Sequence, residues 1–377
     1  MTRSLPATFM RGGTSKALMF RVQDLPRDRA EWDELLLAAM GSPDLYGRQL
    51  NGMGGGLSSL SKVCIVGEPT HGDADLDFTF AQVQIKRSLV DHSGNCGNMS
   101  AAVAPFALAA GLIARNDGET SVLVRNTNTR KLMRASFEVV DGLAREDGDL
   151  VVPGVSGSGA PVRLDFLDPG GSSTGMLLPS GRPRDELHTA EGTFTVSMID
   201  AGNACVFVPA AELGLTGVES PEEIDSRPDI LRTLESIRAQ AAVAMGLVPS
   251  VEEASNRPLT PFVAIVAPPR DYTSSGAREI RSLEHDLTVR FVSNGQPHRA
   301  IPGTGALCLA VAIRIEGTVA DRATRSARPG QTLRLGTPAG VVPVDAQVDH
   351  RPPAGWEAIS ATSYRTFRRL FVGQVYV

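Results

Sequence analysis

The chain has 377 residues, 42% of them hydrophobic, 21% charged and 5% aromatic, with a formal net charge of -5. That length exceeds a typical single core and predicts two domains of similar weight, and the slightly acidic balance argues against nucleic acid as a partner. No apolar run approaches the roughly 20 residues of a membrane helix, the opening MTRSLPATFMRGG has no signal-peptide core, and the four cysteines form no C-x-x-C pair, so a cytoplasmic protein with free thiols is expected.

Along the first half, a helix is expected from about Arg29 to Met40, stopped by Gly41-Ser42-Pro43. Val63 to Val66 reads as a strand, as does the alternation of Leu76, Phe78 and Phe80 with Asp75, Asp77 and Thr79. Gly97 to about Ala110 is apolar on nearly every side and reads as a buried helix, followed by a strand over Ser121 to Val124.

In the second half, strands are expected over Thr193 to Ile199 and Phe262 to Val266, with a helix from about Asp229 to Met245, capped by Gly246, between them. Leu287, Val289 and Phe291 alternate with Asp286, Thr288 and Arg290 and predict a strand with one buried and one polar face. A second small-residue helix spans Gly303 to about Ile315, and a last strand Phe371 to Val377.

The two small-residue helices align. Setting GNCGNMSAAVAPFALAAGLIA against AIPGTGALCLAVAIRIEGTVA puts Cys96 opposite Pro302, Gly97 opposite Gly303, Asn98 opposite Thr304 and His92 opposite His298. This pattern predicts an α+β chain of two similar domains, each a strand-rich sheet wrapped around a central apolar helix. The expected bounds are 1–185, completed by the C-terminal strand near 371–377, and 186–370.

The chemistry-bearing residues sit at glycine-rich turns. In GNCGN, Cys96 precedes the amino end of a buried helix, where unpaired N–H groups and the helix dipole favour an anion, either a thiolate or a bound carboxylate. Asn95, Gly97 and Asn98 share that turn. The second copy, IPGTG, keeps the glycines but carries proline in place of the thiol, so Pro302, Gly303, Thr304 and Gly305 can cradle an anion without supplying a nucleophile. Two further clusters, with Arg11, Thr14 and Ser15 in RGGTSK and Met53, Gly54, Gly55 and Ser61 upstream of Lys62, suit a small oxyanion. Neither is a P-loop or a dinucleotide fingerprint, so no nucleotide cofactor is expected, and no metal-ligand spacing is present.

Only four of the 37 basic residues are lysines. Arginine keeps its proton, whereas a desolvated lysine can release it, so Lys62, at the start of an apolar strand, is a candidate general base.

These segments match a known family. RGGTSK (11–16), GSPDLYGRQLNGMGGG (41–56), SSLSKVCIV (58–66), DHSGNCGNMSAAVAPFA (91–107) and VAPPRDY (266–272) closely resemble the PrpF-type proteins. That group includes 2-methylaconitate cis-trans isomerase and aconitate, 4-oxalomesaconate and methylitaconate isomerases. The resemblance runs from about Leu5 to Val377. It implies a diaminopimelate epimerase-like fold with the active site in the interdomain cleft, and Lys62 and Cys96 as the acid/base pair. Asp200-Ala201-Gly202-Asn203 resembles the epimerase segment whose asparagine binds substrate, which adds Asn203 as a binding candidate.

The function expected is cofactor-independent isomerisation of a small unsaturated di- or tricarboxylate by allylic proton transfer, with a 2-methylaconitate- or aconitate-like substrate favoured and a homo-oligomer left open. A 4-oxalomesaconate tautomerase is the alternative within catalysis. A non-catalytic polycarboxylate-binding protein is the rival from another class, disfavoured because binding alone would tolerate arginine at Lys62. A two-cysteine racemase using Cys205 or Cys308 is disfavoured because Cys308 lies about a turn and a half into its helix.

Overall fold

The computed structural model describes residues 3–325, 331–352 and 355–377. It divides into two compact units, Met1–Leu164 with Tyr364–Val377, and Asp165–Ser363. The expected boundary near 185 falls inside the second unit, because Asp185–Thr189 pairs antiparallel with the following strand Gly192–Ala201 and so belongs with its sheet.

The first unit contains β1 (Ser4–Gly12), β2 (Ser15–Arg21), α1 (Trp32–Met40), β3 (Lys62–Gly67), β4 (Leu76–Val83), β5 (Val90–Asp91), α2 (Ser100–Ala109), β6 (Gly118–Asn126) and β7 (Leu132–Val140). β1 and β2 form a hairpin, β2 runs parallel to β3, β3 pairs antiparallel with β4, and β4 joins β5 antiparallel and β6 parallel. β7 then pairs antiparallel with β6. The C-terminal strand Phe367–Tyr376 lies antiparallel on the free side of β1.

The second unit contains β8 (Gly192–Ala201), β9 (Asn203–Pro209), α3 (Pro228–Ala244), β10 (Phe262–Ala267), β11 (Leu287–Ser293), β12 (Gln296–Pro297), α4 (Gly303–Arg314), β13 (Leu333–Thr337) and β14 (Gly340–Arg351). Its ladder repeats the first one pair for pair. The hairpin is β8–β9, β9 is parallel to β10, β10 antiparallel to β11, β11 antiparallel to β12 and parallel to β13, and β13 antiparallel to β14. The duplication read from two aligned helices therefore extends to the whole strand order.

Helices cover both faces of the middle strands, which is why β3, β4, β10 and β11 are buried along nearly their whole length. In the first unit Phe9, Leu18, Phe20, Val63, Ile65, Ala81 and Val83 pack with Trp32, Leu36, Ala39 and Met40 of α1. The residues between them point to the other face, where α2 lies, since successive side chains on a strand alternate. In the second unit α3 covers the corresponding face through Ile230, Leu234 and Ile237.

Two expectations change in detail. The first small-residue helix becomes regular at Ser100, not Gly97: residues 97–99 form a tighter turn, with Asn98 and Met99 carbonyls accepting from Ala101 and Ala102 three residues on. β11 has no exposed polar face; Thr288 and Arg290 are buried, and Arg290 donates to the carbonyls of Glu219, Val289 and Gly336. Among the described residues no helix is long and apolar enough to cross a membrane.

Candidate active site

Lys62 opens β3 on the face that α2 covers. Its Nζ is 3.5 Å from Cys96 Sγ, to which it donates, and lies 4.9 Å from the centre of the Phe80 ring. Both side chains are mostly enclosed, Lys62 being 8% and Cys96 6% exposed. A strand fixes Lys62 laterally through pairing with Ala17 and Gln82, while the turn before α2 fixes Cys96 through its own carbonyl, which accepts from Ser100 N–H at 2.9 Å. Asn95 holds the turn from the other side: its Oδ1 accepts from Cys96 N–H and from Asn126 Nδ2.

Cys64, two residues along the same face of β3, is fully buried. Burial pushes its thiol well above the ordinary range, and the proximity of Cys96 pushes it further, against the opposing pull of Lys62. The two thiols are thus differentiated by environment, and Cys96 is the one at the helix end.

The β1–β2 hairpin closes over the same turn. Gly13 takes φ +50°, and a Cβ on Gly12 would stand 2.6 Å from Asn98 O and 2.9 Å from Met99 Cα, so the hairpin must be bare there. Asn98 is buried against it, donating from Nδ2 to Thr14 Oγ1 at 3.0 Å and accepting on Oδ1 from Arg365 Nε at 3.1 Å. Ser15, adjacent, is buried with its Oγ lacking a hydrogen-bond partner. Asn95 is thereby bonded to Cys96 itself, and Thr14, next to Ser15 in the hairpin, to Asn98 two residues beyond Cys96 and Gly97.

Other candidates are committed to structure. The guanidinium of Arg11 donates to the carbonyls of Gly13, Thr366 and Phe367, pinning the hairpin to the C-terminal strand; burial lowers its pKa first, with Arg368 adding to the effect. Met53 and Gly54 donate from their main chain to Ala39 and Met40 at the end of α1, Gly55 lies against Leu60, and Met53 packs on the α1 core. Ser61 Oγ accepts from Gln49 Nε2 and donates to Val83 O, which uses its hydrogen-bonding capacity inside the protein. The main chain of this loop is thus hydrogen-bonded to the end of α1.

In the second unit the equivalent hairpin and helix start are again together. Gly202, at φ +73° between β8 and β9, lies beside Thr304, and Asn203 opens β9. Pro302 caps α4 with its carbonyl accepting from Ala306, Gly303 begins the helix, and Gly305 leaves room for the Phe291 ring 2.8 Å from where its Cβ would be. Cys205 and Cys308 are fully buried and donate to the carbonyls of Asn203 and Ile199. Burial, then Cys308, pushes the Cys205 thiol well up, the opposite of what a second racemase base requires.

Arg365 is the residue that the sequence did not single out. It ends the strand Gly355–Arg365 and is 3% exposed at the hairpin, and burial alone lowers its pKa to about 10.

The family model described as PrpF protein matches residues 2–377. The 3-methylitaconate isomerase of Eubacterium barkeri is 40% identical, with 99% of this chain and 97% of that protein covered. The 2-methyl-aconitate isomerase of Shewanella oneidensis is 39% identical, covering 98% of this chain and 96% of its own length. Among solved structures, a methylitaconate-delta-isomerase superposes with a TM-score of 0.78 at 39% identity, over 100% of this chain and 96% of that one. A hydroxyproline epimerase from Agrobacterium vitis, at 13% identity and a TM-score of 0.58 over 100% of this chain and 93% of its own, shares the fold.

Proposed function

The chain belongs to the PrpF family and is an isomerase, and we propose that it moves an allylic proton on a small branched unsaturated di- or tricarboxylate of the methylaconitate, aconitate or methylitaconate type. The observation that carries this reading is the 3.5 Å approach of Lys62 Nζ to Cys96 Sγ at the amino-terminal turn of a buried helix.

Lys62, as the neutral amine, takes the proton from the carbon next to the C=C bond and becomes an ammonium. The electron pair left behind spreads through the double bond into the adjoining carboxylate, whose growing charge is met by the helix end and the hairpin. The Cys96 thiol then delivers a proton to the other allylic carbon, shifting the double bond, or to the original carbon after rotation, giving the cis–trans isomer. Transfer from the Lys62 ammonium to the Cys96 thiolate across their direct contact restores both groups, so the cycle needs no external acid or base.

Proton NMR in heavy water with cis-aconitate, trans-aconitate, the methylaconitates, methylitaconate and 4-oxalomesaconate tests the proposal. Deuterium entering one allylic carbon of one of these substrates, with isomer formation, is the expected result. Absence of both exchange and isomerisation across the panel would refute it.

A further inference from the structure

Arg365 poses a problem of charge. Its Nε donates to Asn98 Oδ1 and its Nη1 to the Tyr364 carbonyl, both neutral acceptors, while Nη2 is buried with no hydrogen-bond partner. Among the described residues no carboxylate forms an ion pair or hydrogen bond with it, and burial is the cause of its lowered pKa. A buried cation of this kind is strongly unfavourable unless an anion pairs with it. Arginine also stays protonated at neutral pH even at a pKa of about 10, so the charge is not relieved by proton loss.

Its position says where such an anion would come from. The Arg365 side chain lies against Gly13, its Cδ 3.1 Å from where a Cβ would be, and through Asn98 it is anchored to the turn that carries Cys96. The hydroxyl of Ser15, also buried and unpartnered, belongs to the same hairpin. One unpartnered donor thus belongs to a side chain bonded to Asn98 in the turn that carries Cys96, and the other to the hairpin packed on that turn. Because the Asn98 and Tyr364 bonds fix the guanidinium plane, the Nη2 arm is preoriented rather than free to swing.

We propose that Arg365 is a substrate-binding residue of this site, its Nη2 arm pairing with a carboxylate of the substrate remote from the carbon that exchanges its proton. The inference rests on the polycarboxylate reading above and deepens it: it makes the number of carboxylates, not only the alkene, a determinant of recognition. Asn98 then acts as a positioning residue, holding Arg365 on one side and Thr14 on the other.

The test uses propane-1,2,3-tricarboxylate, which has no double bond and cannot react, together with the substrate found by the NMR panel. Arg365→Gln should weaken binding of the tricarboxylate by more than tenfold in calorimetry, and the loss of turnover should fall on KM rather than kcat. Arg365→Lys, which keeps the charge but not the fork, should recover part of that affinity. The melting temperature of ligand-free Arg365→Gln should not fall, since an uncompensated charge has been removed, whereas a merely structural arginine would lower it. Unchanged affinity in both variants would overturn the proposal. Crystals of the unmodified protein with the tricarboxylate give a reading that does not depend on the variants folding: a carboxylate oxygen within about 3.2 Å of Nη2 supports the proposal, and a ligand that leaves Nη2 without a partner refutes it. Should the unmodified protein bind the tricarboxylate through Arg365 yet isomerise nothing in the panel, the catalytic reading fails and this one stands.

Discussion

Lys62 and Cys96 meet across two different kinds of support, one side chain leaving a strand paired on both edges and the other a turn whose first carbonyl starts a helix. Their contact at 3.5 Å is between a base candidate and an acid candidate, so substitution should separate the two roles. Lys62→Arg keeps the charge and removes the usable base; it should lower exchange of the allylic proton with solvent by roughly 100-fold or more while leaving tricarboxylate binding largely intact. Cys96→Ser should slow net isomerisation but leave slow exchange at the first carbon. Deuterium incorporation into recovered substrate measures both. Wild-type exchange rates in Lys62→Arg would pass the role of base to the Cys96 thiolate.

Thiol reactivity should follow the same map. Cys64, Cys205 and Cys308 are fully buried, and burial holds the Cys64 and Cys205 thiols protonated at pH values where an exposed thiol has ionised. Iodoacetamide at pH 8 to 9 should therefore modify Cys96 first, read by peptide mass spectrometry, with loss of activity in step. Prior saturation with propane-1,2,3-tricarboxylate should slow it. Modification of Cys64 ahead of Cys96 would contradict this order.

Gly12→Ala should be costly out of proportion to one methyl group. The added carbon meets main-chain atoms of Asn98 and Met99, which cannot rotate away, so the hairpin and the helix turn must separate. A loss of about 1–3 kcal/mol in urea unfolding is expected, accompanied by a rise in KM as Thr14 and Asn98 part. Gly72→Ala, where the new carbon would touch nothing within 4 Å, serves as the neutral control.

Treatment with a metal chelator, followed by gel filtration, should leave activity intact. Among the described residues no group of three or more His, Cys, Asp or Glu side chains is placed to hold an ion. Loss of turnover restored by a divalent cation would reveal a metal requirement.

The parts of this protein that were legible beforehand are those where one residue type can do one thing. Gly41 and Gly246 take left-handed conformations at φ 75° and 71° after their helices, which few other residues tolerate, and both helix ends were readable from them. Lys62, at the start of an apolar strand, and Cys96, in a glycine-rich turn, were each marked by residue type, and the family resemblance paired them. The cluster Gly52 to Gly56 was ambiguous in principle, since a missing side chain serves a ligand and a neighbouring loop equally well; in this structure Gly52 meets the end of α1, Gly54 meets Gln49 and Gly56 meets Gly47. Arg365 carried no local signal: it stands in SYRTFRR close to Arg368 and Arg369, which are exposed, and only the tertiary fold decides which of the three is buried.

The strand Phe367–Tyr376 gives this architecture a direction in time. It pairs with β1 along almost the whole of that strand, main-chain bonds tie Arg3 to Val377, and the carbonyls of Thr366 and Phe367 receive Arg11. During synthesis the unit that is made first is therefore the one finished last, because β1 waits for a partner more than 350 residues downstream, while every strand of the ladder β8 to β14 has already emerged. A released chain truncated after residue 363 would hold every strand of the second ladder and a first ladder lacking both its edge strand and Arg365, and protease digestion of that truncated chain should spare the former and cut the latter.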